Sequence, residues 1–102
     1  IEATAVREVA EETGIRIELL ALAGETNYTF TRPDGERQDK TVRYFLARAV
    51  GGDMADRDFE REFAAWLPTR QAADRLTFPE DRAILHDALA LIERNPAYRA
   101  LL

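Results

Sequence analysis

Nothing in this chain constrains its fold more than the run Arg7-Glu8-Val9-Ala10-Glu11-Glu12-Thr13-Gly14-Ile15. At about 100° per residue, Glu8, Glu11 and Glu12 share one arc of roughly 100° on a helix, with Ala3, Val6 and Ala10 on the other side. The helix is thus amphipathic, with a small-residue face suited to close packing and an acidic face suited to water or a cation. Gly14 suits the left-handed position just past a helix end, and Ile15 begins a new apolar pattern. Clustered carboxylates are oxygen donors of the kind that hard divalent cations such as Mg2+ take. Glu8 and Glu12 repel at i, i+4, and no lysine lies nearby to relieve them. Arg7 reaches Glu11 at i+4, and an arginine that holds one carboxylate while others bind metal is a familiar support. Against this stands the bland alternative, a solvated acidic face.

Composition sets the outer bounds. The 102 residues describe at most one domain, and 46% hydrophobic with 32% charged residues describe a folded globular chain. No apolar stretch is long enough to span a bilayer, and no secretory signal is visible. There are no cysteines, which excludes disulfides and thiolate chemistry and is compatible with a reducing cytoplasm. The net charge of −5 argues against a broad nucleic-acid footprint. It leaves nucleotides open, because a cation can bridge acidic side chains to phosphate.

Periodicity predicts a helix over 3–13, a strand over 16–22, a break at Ala23-Gly24 and a second strand over 26–32 that alternates Tyr28 and Phe30 against Thr29 and Thr31. Pro33-Asp34-Gly35 reads as a turn and 40–50 as the return strand of a hairpin. A polar loop over 51–58 and a short strand over 63–67 follow. Thr69 is expected to cap a helix over 70–75, and Thr77 or Phe78, ahead of Pro79, to open a last helix with the apolar stripe Ile84, Leu85, Ala88, Leu91 and Ile92, ended by Asn95-Pro96. Helix, strands, then helices make a mixed α/β chain. Trp66 is read as core rather than as a ligand-stacking ring, and His86, the sole histidine, as a surface residue.

Arg7-Glu8-Val9-x-Glu11-Glu12-x-Gly14-Ile15 resembles the second half of the Nudix box, matching all seven of its specified positions. The chain is thereby identified as a MutT-like member of the Nudix hydrolases. The segment from Lys40 to Leu46 and the later Leu76-Thr77-Phe78-Pro79-Glu80-Asp81-Arg82 are similar to bacterial diadenosine-polyphosphate-hydrolase-like members. The resemblance implies one α/β/α sandwich domain over 1–102 around a mixed sheet. It also implies that the first glycine and first glutamate of the box, and the strands before them, precede Ile1, so that the chain is expected to be part of a domain.

The implied chemistry is Mg2+-dependent hydrolysis (Mn2+ being a substitute) of a diphosphate linkage in a nucleoside diphosphate joined to another moiety: a dinucleoside polyphosphate, ADP-ribose or an oxidised dNTP. Carried over residue by residue, Glu8, Glu11 and Glu12 become metal ligands, Arg7 orients one of them, and Glu11 and Glu12 take part in catalysis. A glutamate of the acidic loop, Glu60 or else Glu62, would assist in deprotonating water. Lys40 and Tyr44, on one face of the return strand by alternation, would hold phosphate oxygens, whereas Arg43 and Phe45 face the other way. The plain alternatives are a hairpin-edge charge and a packing tyrosine. The partners implied are a nucleotide-derived small molecule and a second copy in a homodimer, with neither nucleic acid nor membrane. The competing class is a Nudix-fold domain that binds nucleotides or proteins without turnover.

Overall fold

The computed structural model of the chain describes residues 1–56 and 64–101. The order is α1 (Glu2–Thr13), β1 (Ile15–Thr31), β2 (Arg37–Gly52), a 3-10 turn (Met54–Asp56), α2 (Thr69–Arg75), α3 (Pro79–Arg94) and α4 (Pro96–Leu101). The mixed α/β class read from the sequence holds. Among the described residues the sheet is a single antiparallel pair, β1 with β2.

α1 stops where glycine permits. Gly14 has φ 77°, and its N–H donates to the Ala10 carbonyl at 2.8 Å. The Thr13 hydroxyl donates to the Val9 carbonyl at 2.7 Å and accepts the Ile15 N–H at 3.1 Å, tying the last helical turn to the first strand residue. At the far end of the hairpin Gly52, at φ 91°, brings its own backbone against the Gly14 carbonyl, and Asp53 N–H donates to that oxygen at 3.1 Å. Helix end and strand end are thus locked through glycine backbone that no Cβ obstructs; a Cβ on Gly52 would lie 2.2 Å from the Gly14 oxygen.

The break expected at Ala23-Gly24 is not a break. β1 runs unbroken through it, and the irregularity is absorbed as register shifts between Arg16 and Ile17, Leu19 and Ala21, and Leu22 and Gly24. Each shift leaves a residue unopposed and re-aims the side chains that follow. Gly24 is small because Ile84 of α3 packs there, 3.1 Å from where a Cβ would stand. The return strand likewise extends into the first two positions of the polar loop foreseen at 51–58, since Gly51 and Gly52 pair with Arg16 and Ile15. The strand foreseen over 63–67 does not form across 64–67, which are without regular structure; Phe63 lies outside the described residues. Thr69 is the first residue of α2 rather than its cap, a place taken by Pro68. Phe78 caps α3 with Pro79 at its start, and Asn95 ends it, as expected.

α1 and α3 lie on opposite faces of the hairpin. Arg43 and Phe45 line a cleft with the start of α1, whereas Tyr44 lines one with Phe78 and Asp81 at the start of α3, and Val42 borders both. Neighbours on a strand point to opposite faces, so one hairpin separates the two helices. Tyr98 of α4 adds a tie on the α3 side, its hydroxyl donating to the Leu20 carbonyl at 3.2 Å. Among the described residues the buried hydrophobic core is Ile15 alone, while Trp66 is 68% exposed. The core role read for Trp66 is therefore corrected. Without strand pairing over 64–67, its ring stands at the rim of the α1–sheet cleft with Val9, Ile17 and Ala49 instead of under it. His86 is a surface residue, as read, its Nδ1 3.7 Å from Asp87 Oδ1.

Candidate active site

α1 carries the acidic face as a rigid unit. Arg7 Nη1 donates to Glu11 Oε1 at 3.0 Å, the i, i+4 contact the spacing calls for. Arg7 thus occupies one carboxylate oxygen and leaves the other without a partner among the described residues. Glu8 opens onto a cleft of about 510 Å³ whose other wall is β2, with Lys40, Thr41 and Arg43. Glu12 opens onto a different cleft of about 530 Å³, the apolar one rimmed by Trp66. Glu8 and Glu12 share a helical face but line different clefts. Among the described residues no three His, Asp or Glu side chains stand together as a metal-holding group. In donor type the face still fits a hard divalent cation, for it offers carboxylate oxygens with a cationic residue steadying one of them. Glu60 and Glu62 lie outside the described residues.

Lys40 and Tyr44 do not converge. Lys40 lines the Glu8 cleft, whereas Tyr44 faces α3 and its hydroxyl donates to Asp81 Oδ1 at 2.9 Å. That bond, with partial burial and the nearby negative charge of Asp81, raises the Tyr44 phenol above its ordinary range, because ionising it would cost the bond and set two anions together. Asp81 was not foreseen as a partner of Tyr44, and nothing local in the sequence announces it. Arg43 was placed on the face opposite Tyr44 by alternation, and there it stands, beside Glu8.

The α3-side cleft, about 550 Å³, has an aromatic rim. Tyr28 and Phe78 are 47% and 63% exposed, and Asn27, Glu80 and Asp81 add polar edges. Exposed ring faces beside hydrogen-bonding groups suit stacking on a planar heterocycle.

The NUDIX domain family model matches residues 1–88. The chain belongs to the Nudix family. It is 44% identical over 93 residues to "Putative mutator protein MutT4" of Mycobacterium tuberculosis (strain CDC 1551 / Oshkosh), covering 91% of this chain and 37% of that one. It is 38% identical over 81 residues to "8-oxo-(d)GTP phosphatase" of Mycolicibacterium smegmatis (strain ATCC 700084 / mc(2)155), covering 79% of this chain and 23% of that one. The chain therefore spans 37% or less of the length of these curated relatives. Nudix hydrolases generally use divalent metals. Among the described residues no helix is long and apolar enough to cross a membrane.

Proposed function

We propose that the protein carrying this chain hydrolyses the diphosphate linkage of a nucleotide derivative in a Mg2+-dependent reaction, with an oxidised nucleoside triphosphate as the substrate to test first. The observation that carries the reading is α1 itself: every specified position of the half-box is present, and Arg7 holds Glu11 in the geometry that spacing requires. The name of the second relative supports the choice of substrate. The open aromatic rim of Tyr28 and Phe78 supports a substrate with a planar base.

The physical problem is charge. The substrate is polyanionic, its transition state crowds further charge on the phosphoryl oxygens, and water is a weak nucleophile. Glu8, Glu11 and Glu12 would hold the cation, which when bound neutralises phosphate charge and lowers the pKa of water. Arg7 keeps Glu11 in one orientation, so that less side-chain freedom is lost on binding. Lys40 supplies positive charge from the wall facing Glu8. Glu60 or Glu62 is proposed to take the proton from water, and a cytoplasmic, nucleic-acid-free setting accords with an acidic, cysteine-free chain.

The test uses the full-length protein with Mg2+ and, in turn, 8-oxo-dGTP, a dinucleoside polyphosphate and ADP-ribose. Phosphate or nucleotide release abolished by Glu11→Gln is expected. Unchanged release in that variant would overturn the enzyme reading, and tight nucleotide binding without turnover in the wild type would favour a binding domain.

A further inference from the structure

We infer that Arg43, together with Thr41 and Lys40, forms a polyphosphate-binding wall opposite Glu8, with Arg43 as its specificity-determining residue for chains of more than one phosphate. The inference rests on the nucleotide reading above and deepens it, since the box motif says nothing about which groups grip the phosphate chain.

Three observations carry it. The first is position. Glu8 and Thr4 of α1 face Lys40, Thr41 and Arg43 of β2 across one open cleft of about 510 Å³. Arg43 also lines a second cleft of about 540 Å³ with Glu2 and Leu22, so it borders both spaces. A residue that borders two clefts suits an extended ligand better than a compact one.

The second is availability. Two arginines flanking the sheet and α1 are committed at hydrogen-bond distance: Arg7 to Glu11 at 3.0 Å and Arg48 to Glu18 at 3.1 Å. Arg82 of α3 is spent on the carbonyls of Leu76 and Thr77. Arg43 stands apart, its Nε 3.6 Å from Glu25 Oε2, beyond hydrogen-bond distance, with both side chains close to half exposed. Such exposed pairs hold weakly, so the planar fork is open to a better acceptor, and phosphate matches its geometry bidentately.

The third is division of labour on β2. Tyr44 cannot serve this wall, because it lies on the opposite face with its hydroxyl on Asp81. Thr41 is on the correct face, paired across the hairpin with Asn27 through a 2.6 Å hydroxyl bond that holds it in place beside Arg43. The cation that joins Lys40 at the Glu8 cleft is thus three residues along the strand from it.

The experiment is a calorimetric titration of the full-length protein in magnesium buffer with inorganic tripolyphosphate and, separately, orthophosphate. Arg43→Ala is expected to weaken tripolyphosphate binding about tenfold and orthophosphate much less, with Arg43→Lys recovering part of the loss and Glu25→Ala leaving binding equal or tighter. Kinetically, Arg43→Ala is expected to raise KM for the nucleotide while leaving kcat within a fewfold. Arg43→Gln, which keeps size and polarity at this exposed site, guards against a folding artefact and is expected to behave as Arg43→Ala. Wild-type tripolyphosphate affinity in both variants, or an equal loss for both ligands, would overturn the inference. Arg43-dependent tripolyphosphate binding in a protein that turns over no nucleotide would support this wall while overturning the enzyme reading.

Discussion

Gly52→Ala should destabilise the fold far more than Gly35→Ala, although both glycines have nearly the same backbone, φ 91° against φ 88°. At each, an L-residue in the left-handed region costs about 1 kcal/mol. At Gly35 the added methyl meets nothing within 4 Å, so the conformational cost stands alone. At Gly52 it would fall 2.2 Å from the Gly14 oxygen and 3.1 Å from the Arg16 nitrogen and Ile15 Cα, all backbone. Gly14 cannot yield easily, since it is the helix stop and its oxygen accepts Asp53 N–H. Relieving the overlap must shift α1 or break that bond, adding about 2 kcal/mol from overpacking and the lost hydrogen bond. The two variants should therefore differ by about 2 kcal/mol, or on the order of 10 °C in Tm for a domain of this size. Urea and thermal melts followed by far-UV circular dichroism measure both, with Gly35→Ala as the internal control for conformation. Equal melting of the two variants would refute the claim that the Gly14–Gly52 junction clamps α1 to the sheet.

Three further outcomes are expected. Gly24→Ala should cost about 1 kcal/mol through its 3.1 Å approach to Ile84, and Ile84→Ala in the same chain should give back part of it; strictly additive losses in a double-mutant cycle would contradict the packing. Tyr44→Phe should cost about 1 kcal/mol at neutral pH by removing the bond to Asp81. Because the folded-state phenol lies above its unfolded value of about 10, that contribution is fully present below about pH 10 and lost as pH rises through the folded value. Stability of the wild type and Tyr44→Phe should thus converge in strong alkali, and a constant gap across that range would count against it. Arg7→Ala should change stability by about 0.5 kcal/mol at most, the pair being exposed, yet lower nucleotide hydrolysis severalfold by releasing Glu11; parallel melts and kinetics separate the two effects.

What could be read without coordinates was whatever rests on fixed local spacing. The acidic face of α1, the Arg7–Glu11 contact and the glycine stop follow from helical geometry alone, and each is present. The Phe78-Pro79 start of α3 and the Pro33-Asp34-Gly35 turn are likewise local, set by proline and glycine backbone preferences. Ala23-Gly24 misled because the same two small residues serve a chain break and a strand that must admit a helix side chain. Only the position of Ile84, far along the sequence, decides between them. Gly51-Gly52 misled in the same way: read locally it is a loop, but Arg16 covers Gly51 and the Gly14 carbonyl receives Asp53 beside Gly52.

The same division runs through the site. Alternation along β2 separated Arg43 and Phe45 from Tyr44, but it grouped Lys40 with Tyr44, whereas Lys40 lines the Glu8 cleft, and it could not say which face α1 would take. The residue types in Lys40-Thr41-Val42-Arg43-Tyr44 allow a phosphate wall on either side of the strand. The choice is made by two long-range contacts: Tyr44 is drawn to Asp81, and the opposite face receives the start of α1. With Tyr44 bonded to Asp81, the β2 hydroxyl and arginine that line the Glu8 cleft are Thr41 and Arg43, and the proposed phosphate grip on this strand is a lysine–arginine rather than a lysine–tyrosine one. The motif on α1 therefore identifies the family, whereas the face of β2 that α1 covers determines which side chains line the cleft beside Glu8.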